Sequence, residues 1–199
     1  QYADGFLYAL ADFGGARLQG FVPPLASAPC FVIRKPPSIV YTLADYEASG
    51  ALCSRHRALL ESAVSERWNL LIVGGTGTGK TTLANALLAE IARQSPRDRI
   101  VILEDTVELQ CSADDTLALR TSAGLSLADL VKLSLRTKPD RIVIGEVRDA
   151  AALDLLDAWA TGHPGGVATL HATDALGALQ RLDRLAQRAN VPSQAALIA

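Results

Sequence analysis

One stretch constrains this chain more than any other. Gly74-Gly75-Thr76-Gly77-Thr78-Gly79-Lys80-Thr81 fits the pattern G-x-x-x-x-G-K-[ST] in full. An apolar run, Trp68 to Val73, precedes it. A helical pattern follows, with Leu83, Ala86, Leu87 and Ile91 on one face of residues 80–94. Glycines let successive backbone N–H groups turn inward around a phosphate, and the start of a helix adds partial positive charge there. Lys80 reaches β- and γ-phosphates in such a loop, and the Thr81 hydroxyl joins a magnesium shell. Gly75, Thr76, Gly77, Thr78, Gly79 and Thr82 complete the set expected around the nucleotide. The ligands this implies are ATP or ADP, with Mg2+.

The rest of the chain supplies a frame for that loop. Apolar runs at 68–73, 99–103, 141–144 and 166–170 are short, unalternated and rich in Val, Ile and Leu, the pattern of strands buried on both faces. Helical segments separate them. Residues 126–137 open with Ser126-x-x-Asp129, a capping box, and stop before Pro139. Residues 150–160 follow Asp149 as a cap, and 174–189 space Leu176, Leu179, Leu182 and Leu185 by three. The alternation predicts an α/β fold with a mainly parallel sheet over residues 38–199. Ahead of it, Thr42 and Asp45 cap a short helix ended by Gly50, and a second helix fills 51–66. Residues 1–21, with glycines at 5, 14, 15 and 20, read as short strands and turns. Five of the nine prolines lie between Val22 and Pro37, which reads as an extended linker with one strand at Cys30–Ile33. Residues 1–37 are thus expected to be the remnant of an N-terminal domain and its linker.

Composition narrows the class. Of 199 residues, 49% are hydrophobic and 20% charged, which is ordinary for a globular chain. A net charge of -2 weighs against a dedicated nucleic-acid binder and leaves direct nucleic-acid binding undecided. Cys30, Cys53 and Cys111 form no metal-ligand spacing and read as reduced thiols. No apolar run approaches the ~18 residues of a membrane span. The chain has no methionine and opens at Gln1, so it reads as a piece of a longer protein.

Two strands end in carboxylates. One runs Arg99 to Leu103 into Glu104 and Asp105, with Glu108 just after, and the other runs Arg141 to Ile144 into Gly145 and Glu146. Ligands of open α/β sheets sit at the carboxyl ends of strands. Either carboxylate there can hold magnesium, directly or through water, or orient an attacking water. His163 and His171 fall in the glycine-rich run Thr161 to Ala172, and His171 follows the fourth apolar run toward a strand's carboxyl end. His56 reads as a surface residue. Arg17, Arg34, Arg120, Arg136 and Arg148 are the arginines available to face developing phosphate charge.

The motifs GGTGTGKTT, ILEDTVEL, LVKLSLRTKPDRIVIGEVRDAAALDLLDAW and TGHPGGVATLHA, in that order and spacing, resemble the secretion ATPases of the type II/type IV superfamily. Within it the chain looks most like the TrbB-type conjugal-transfer branch. The preceding LQGFVPPLASAPCFVIRKP is similar to that branch's segment between N-terminal domain and ATPase core. The resemblance implies a RecA-like core, a homohexameric ring and ATP hydrolysis that powers macromolecular transfer. It also implies a cytoplasmic protein, peripheral to the inner membrane, that works with membrane components of a secretion channel. By position it makes Glu104 of the "Asp box" the catalytic carboxylate and assigns magnesium and water to Glu146 of the Walker B motif. His171 of the "His box" would couple nucleotide state to shape. Arg34 and Arg120 fall where the family's nucleotide-directed arginines stand. The chain departs from the pattern in a shorter N-terminal part, an expected continuation past Ala199, and Thr137 where a larger apolar residue is expected. The four-cysteine zinc insertion of type II secretion and pilus-assembly ATPases is absent, which favours the conjugation branch.

Three other readings compete. The chain is alternatively a type IV pilus retraction or assembly motor, or a type II secretion ATPase. It is a nucleotide-gated docking module without significant turnover if the carboxylates do no chemistry. It is a translocase that grips DNA directly if binding to DNA proves steeply salt-dependent.

Overall fold

Four short segments have almost no polar side chain to offer solvent, and they make the centre of the molecule. The structure, a computed structural model, describes residues 2–3, 6–9, 16–35 and 39–198. Gly5, Gly14, Gly15, Pro36 and Pro37, read above as turn and linker residues, lie outside the described residues. The chain divides into two compact units, Gln1–Ile39 and Val40–Ala199.

The first unit is an antiparallel sheet of β1 (Tyr2–Ala3), β2 (Phe6–Ala9), β3 (Arg17–Phe21) and β4 (Cys30–Arg34), in that order. The strand expected at Cys30–Ile33 is β4. Pro23, Pro24 and Pro29 lie between two paired strands, and Phe21 pairs with Cys30 next to that connection. Proline lacks the N–H that a ladder needs, which confines these residues to the loop.

The second unit has the helices α1 (Leu43–Ala48), α2 (Ser54–Ser65), α3 (Lys80–Gln94), α4 (Leu127–Ser134), α5 (Ala151–Ala160), α6 (Ala175–Ala186) and α7 (Ala195–Ile198). Its strands are β5 (Leu70–Gly74), β6 (Ile100–Glu104), β7 (Thr116–Arg120), β8 (Arg141–Ile144) and β9 (Val167–His171). They form one sheet in the order β5-β9-β8-β6-β7, parallel throughout. The alternation of side chains along a strand sorts the core into two layers. Val101 and Leu103 pack with Leu130, Leu155 and Leu182 of α4, α5 and α6 on one face. Ile100 and Ile102 pack with Val64, Leu87 and Ile91 of α2 and α3 on the other. This is the layered α/β fold with a parallel sheet that the apolar runs imply.

Local signals decide where several elements begin. Thr42 and Ser126 accept from the N–H groups of Asp45 and Asp129, whose carboxylates return the bond, so both capping boxes form. Each is worth about 1 kcal/mol. Gly50, at φ 77, turns the chain out of α1. Asp149 does not cap α5 as its position suggests. It lies at φ 49 and pairs with Arg188, and the cap position falls on Ala150. The helix expected over 174–189 is α6 followed by a single 3-10 turn, Gln187–Ala189.

At the amino ends of the strands, Arg141 is 1% exposed. It bonds Asp98 at 2.8 Å, the Gly165 carbonyl at 3.1 Å and the Val64 carbonyl at 3.2 Å. A buried guanidinium needs such full satisfaction to offset its lost hydration.

Candidate functional site

A parallel sheet brings every strand's carboxyl end to one edge, and here that edge gathers the chemistry. The P-loop leaves β5, and α3 begins at Lys80. Gly77 and Gly79 have φ of 74° and 90°, conformations that strain any side chain bearing a Cβ, and Gly79 is the residue before the helix. That turn aims the unpaired N–H groups of α3's first turn at the loop's concave side. Thr78 Oγ1 donates to the Gly75 carbonyl at 2.9 Å and Lys80 Nζ donates to the same oxygen at 2.7 Å.

Two groups of side chains surround the loop. In the first, Lys80 Nζ lies 3.4 Å from His171 Nδ1, and His171 Nε2 lies 3.3 Å from Glu146 Oε1. An ammonium only donates, so Nδ1 presents its lone pair and Nε2 carries the hydrogen that Glu146 accepts. Arg148 donates to Glu146 Oε2 at 2.5 Å and to Asp105 at 3.2 Å. Burial pushes the Glu146 carboxyl up, but the bond from Arg148 and the charges of Arg148 and Lys80 outweigh it and hold it below its ordinary value. It stays ionised at neutral pH.

The second group joins α3 to the segment between β6 and β7. Thr81 Oγ1 donates to Glu108 Oε2 at 3.2 Å. Glu104 is 5% exposed, and its Oε1 accepts from the N–H groups of Glu108 and Leu109, both at 2.9 Å. Burial raises the Glu104 carboxyl above its ordinary value despite those two bonds. Gly145 fits against it, since a Cβ there would lie 3.0 Å from Glu104 Cγ. The two carboxylates of this motif are thus placed differently. The carboxylate brought against Thr81 is that of Glu108, four residues on, while Glu104 lies under the segment and holds its backbone.

The other expected residues divide. Arg120 ends β7, exposed, in register with Glu104. Arg136 is exposed in the turn after α4, and Arg34 ends β4 of the first unit, in register with Arg17. His163 is far from this edge in sequence role as well as place: its Nδ1–H donates to the Pro139 carbonyl at 2.9 Å, at the amino ends of the strands. Gly165 and Gly166 of the glycine-rich run are packing positions, and His171 joins the loop. Asn85, which the sequence reading passed over, is buried on α3 and bonds the segment carrying Glu108. Its one sequence signal was a polar residue among Leu83, Ala84, Ala86 and Leu87.

Oxygen donors of the kind Mg2+ prefers meet at the start of α3, the Thr81 hydroxyl with Glu108, while Glu146 is tied through His171 to Lys80. Among the described residues no group of three or more His, Cys, Asp or Glu is arranged to hold a metal alone. That fits an ion shared with phosphate oxygens, the usual arrangement for magnesium.

Fold and site together define a P-loop protein with a RecA-like core. Residues 17–199 match the family described as "Type II/IV secretion system protein", and the chain belongs to that family. It is 52% identical over 177 residues to the "Probable conjugal transfer protein TrbB" of Sinorhizobium fredii, covering 89% of this chain and 54% of that protein. The "Conjugal transfer protein TrbB" of Rhizobium radiobacter is 50% identical over 177 residues, 89% of this chain and 55% of that protein. Among solved structures, the VirB11 ATPase of the Brucella suis type IV secretion system, in complex with sulphate, superposes with a TM-score of 0.65 at 27% identity. That match covers 98% of this chain and 66% of the other. The chain spans about half the length of the curated relatives it matches. Among the described residues no helix is long and apolar enough to cross a membrane.

Proposed function

We propose that the chain is the nucleotide-binding and hydrolysing part of an ATPase that powers conjugative DNA transfer through a type IV secretion channel. One observation carries the reading: Lys80 and Thr81 open α3 at a glycine cradle, and Glu108 and Glu146 are drawn up beside them from neighbouring strand ends. In this reading the loop N–H groups and Lys80 bind the phosphates. Thr81 and Glu108 hold the Mg2+, which when bound offsets the charge of the β- and γ-phosphates. Glu146, ionised and tied through His171 to Lys80, orients water and senses whether Lys80 sits on phosphate. Glu104 keeps the Glu108 segment in place. Arg120 and Arg34 are the positive charges that the family resemblance directs at the nucleotide.

The cargo is read from the relatives, two of which are named for conjugal transfer. A homohexamer docked at the cytoplasmic face of the inner membrane, against components of the channel, completes the proposal. The docking module without turnover is disfavoured, because both carboxylates stand at the loop.

A thermal-shift titration with Mg-ATP tests the core of this reading, with Lys80→Ala as control. At 100 times Kd a ligand adds ~2.7 kcal/mol. For a chain of this size that raises Tm by about 5–11 °C. A shift of that order, lost in Lys80→Ala, is the expected result. No shift in the parent chain would overturn it.

A further inference from the structure

We propose that Asn85 is a positioning residue that sets the Glu108 carboxylate against Thr81, and the inference rests on the nucleotide reading above. Asn85 follows Thr81 by four residues on α3, so the two side chains lie on one face, a turn apart. The segment after β6 runs along that face. Thr81 takes its carboxylate: Thr81 Oγ1 donates to Glu108 Oε2 at 3.2 Å. Asn85 takes its backbone on both sides: Nδ2 donates to the Glu108 carbonyl at 3.4 Å, and Oδ1 accepts from the Gln110 N–H at 2.9 Å.

Asn85 is 2% exposed, between Ala84 and Ala86, which are fully buried. Packing alone would be met by an apolar residue, and a buried amide costs free energy unless its donor and acceptor are both used. Here both are used, and both on one segment. Residues 105–115 have no helix or strand of their own. Their backbone is held by side chains instead, Glu104 gripping the Glu108 and Leu109 N–H groups from the strand side and Asn85 gripping the Glu108 carbonyl from the helix side. Clamped at both ends of its own backbone, Glu108 has little freedom left except in its side chain, and that reaches the hydroxyl expected to meet Mg2+. Fixing a carboxylate in advance spares the ordering entropy when the ion arrives.

ADP affinity, measured by calorimetry on the whole chain with Mg2+ and again with EDTA, tests this. The parent chain binds ADP more tightly with Mg2+ than without. Asn85→Ala is expected to keep the metal-free affinity within about twofold while the enhancement by Mg2+ falls by about tenfold. Glu108→Gln loses the same enhancement, and the double variant loses no more than either single one, the signature of two residues acting as one unit. Asn85→Asp keeps the volume and the bond from Gln110 but replaces the donor to the Glu108 carbonyl with an acceptor, and it carries the same test should the alanine variant fail to fold. An undiminished Mg2+ enhancement in the Asn85 variants would overturn the inference. So would an equal loss with and without metal, which marks a merely structural residue, or full additivity in the double variant. A parent chain that binds no ADP at all would sink the nucleotide reading itself and this inference with it.

Discussion

Two carboxylates near the loop differ because their neighbours differ. Glu146 is held ionised by Arg148 despite its burial, whereas Glu104 is pushed upward by burial that two backbone bonds do not offset. A carboxyl raised above its ordinary 4.5 stabilises the fold fully only below that value, and the contribution is lost as pH rises through the raised folded value. Glu104 therefore works against stability at neutral pH. Glutamine keeps an accepting oxygen for the Glu108 and Leu109 N–H groups without the charge. Glu104→Gln is expected to melt above the parent chain at pH 7–8, with the difference vanishing below about pH 4.5. Identical melting at all pH values would remove that account. The residue types at this edge were legible in sequence, down to Lys80, Thr81, Glu146 and His171. Which of Glu104 and Glu108 turns toward Thr81 was not, because both sit in one acidic motif and the choice depends on the layer that covers β6.

Elements here are held as much by what they lack as by what they carry. Gly166 lies under Trp159, where an added Cβ would come 2.1 Å from the indole nitrogen and 2.4 Å from the Ile142 carbonyl. The carbonyl belongs to β8 and has nowhere to go. Gly166→Ala is expected to cost about 1–3 kcal/mol, lowering Tm by several degrees at about 2–4 °C per kcal/mol. A thermal melt within error of the parent would contradict the close packing. The neighbouring Gly165 leaves room for the Arg141 guanidinium, 2.5 Å from where its Cβ would stand. Gly165 and Gly166 thus answer a packing demand at the amino ends of the strands, opposite the phosphate loop. Helices and buried strands were readable from their periodicity. Strand β7 escaped that reading because an edge strand alternates and so makes no continuous apolar run: Ala118 and Arg120 face outward, and Leu117 and Leu119 pack on the core.

At the scale of the whole molecule, the loop, both carboxylates, His171 and Asn85 all belong to the unit Val40–Ala199. A chain of residues 40–199 is expected to fold and keep the Mg-ADP affinity of the parent. A loss beyond about tenfold, or 1.4 kcal/mol, would assign part of the site to the first unit, with Arg34 as the leading candidate. The first unit poses a different question, since its edge strand β4 exposes Phe31 to 70%, and Val32 and Ile33 to 62% and 48%. The amino-acid sequence alone determined the phosphate loop, the α/β alternation around it and the family, because each rests on short-range rules: a turn that requires glycine, a cap three residues from its partner, an apolar run too short for a helix. Strand order, the contacts of Lys80 with His171 and of His171 with Glu146, the buried clasp of Arg141, and the contact of Glu108 with Thr81 were decided only in tertiary structure. Those contacts join residues distant in the chain, and their geometry exists only once the sheet has been covered on both faces.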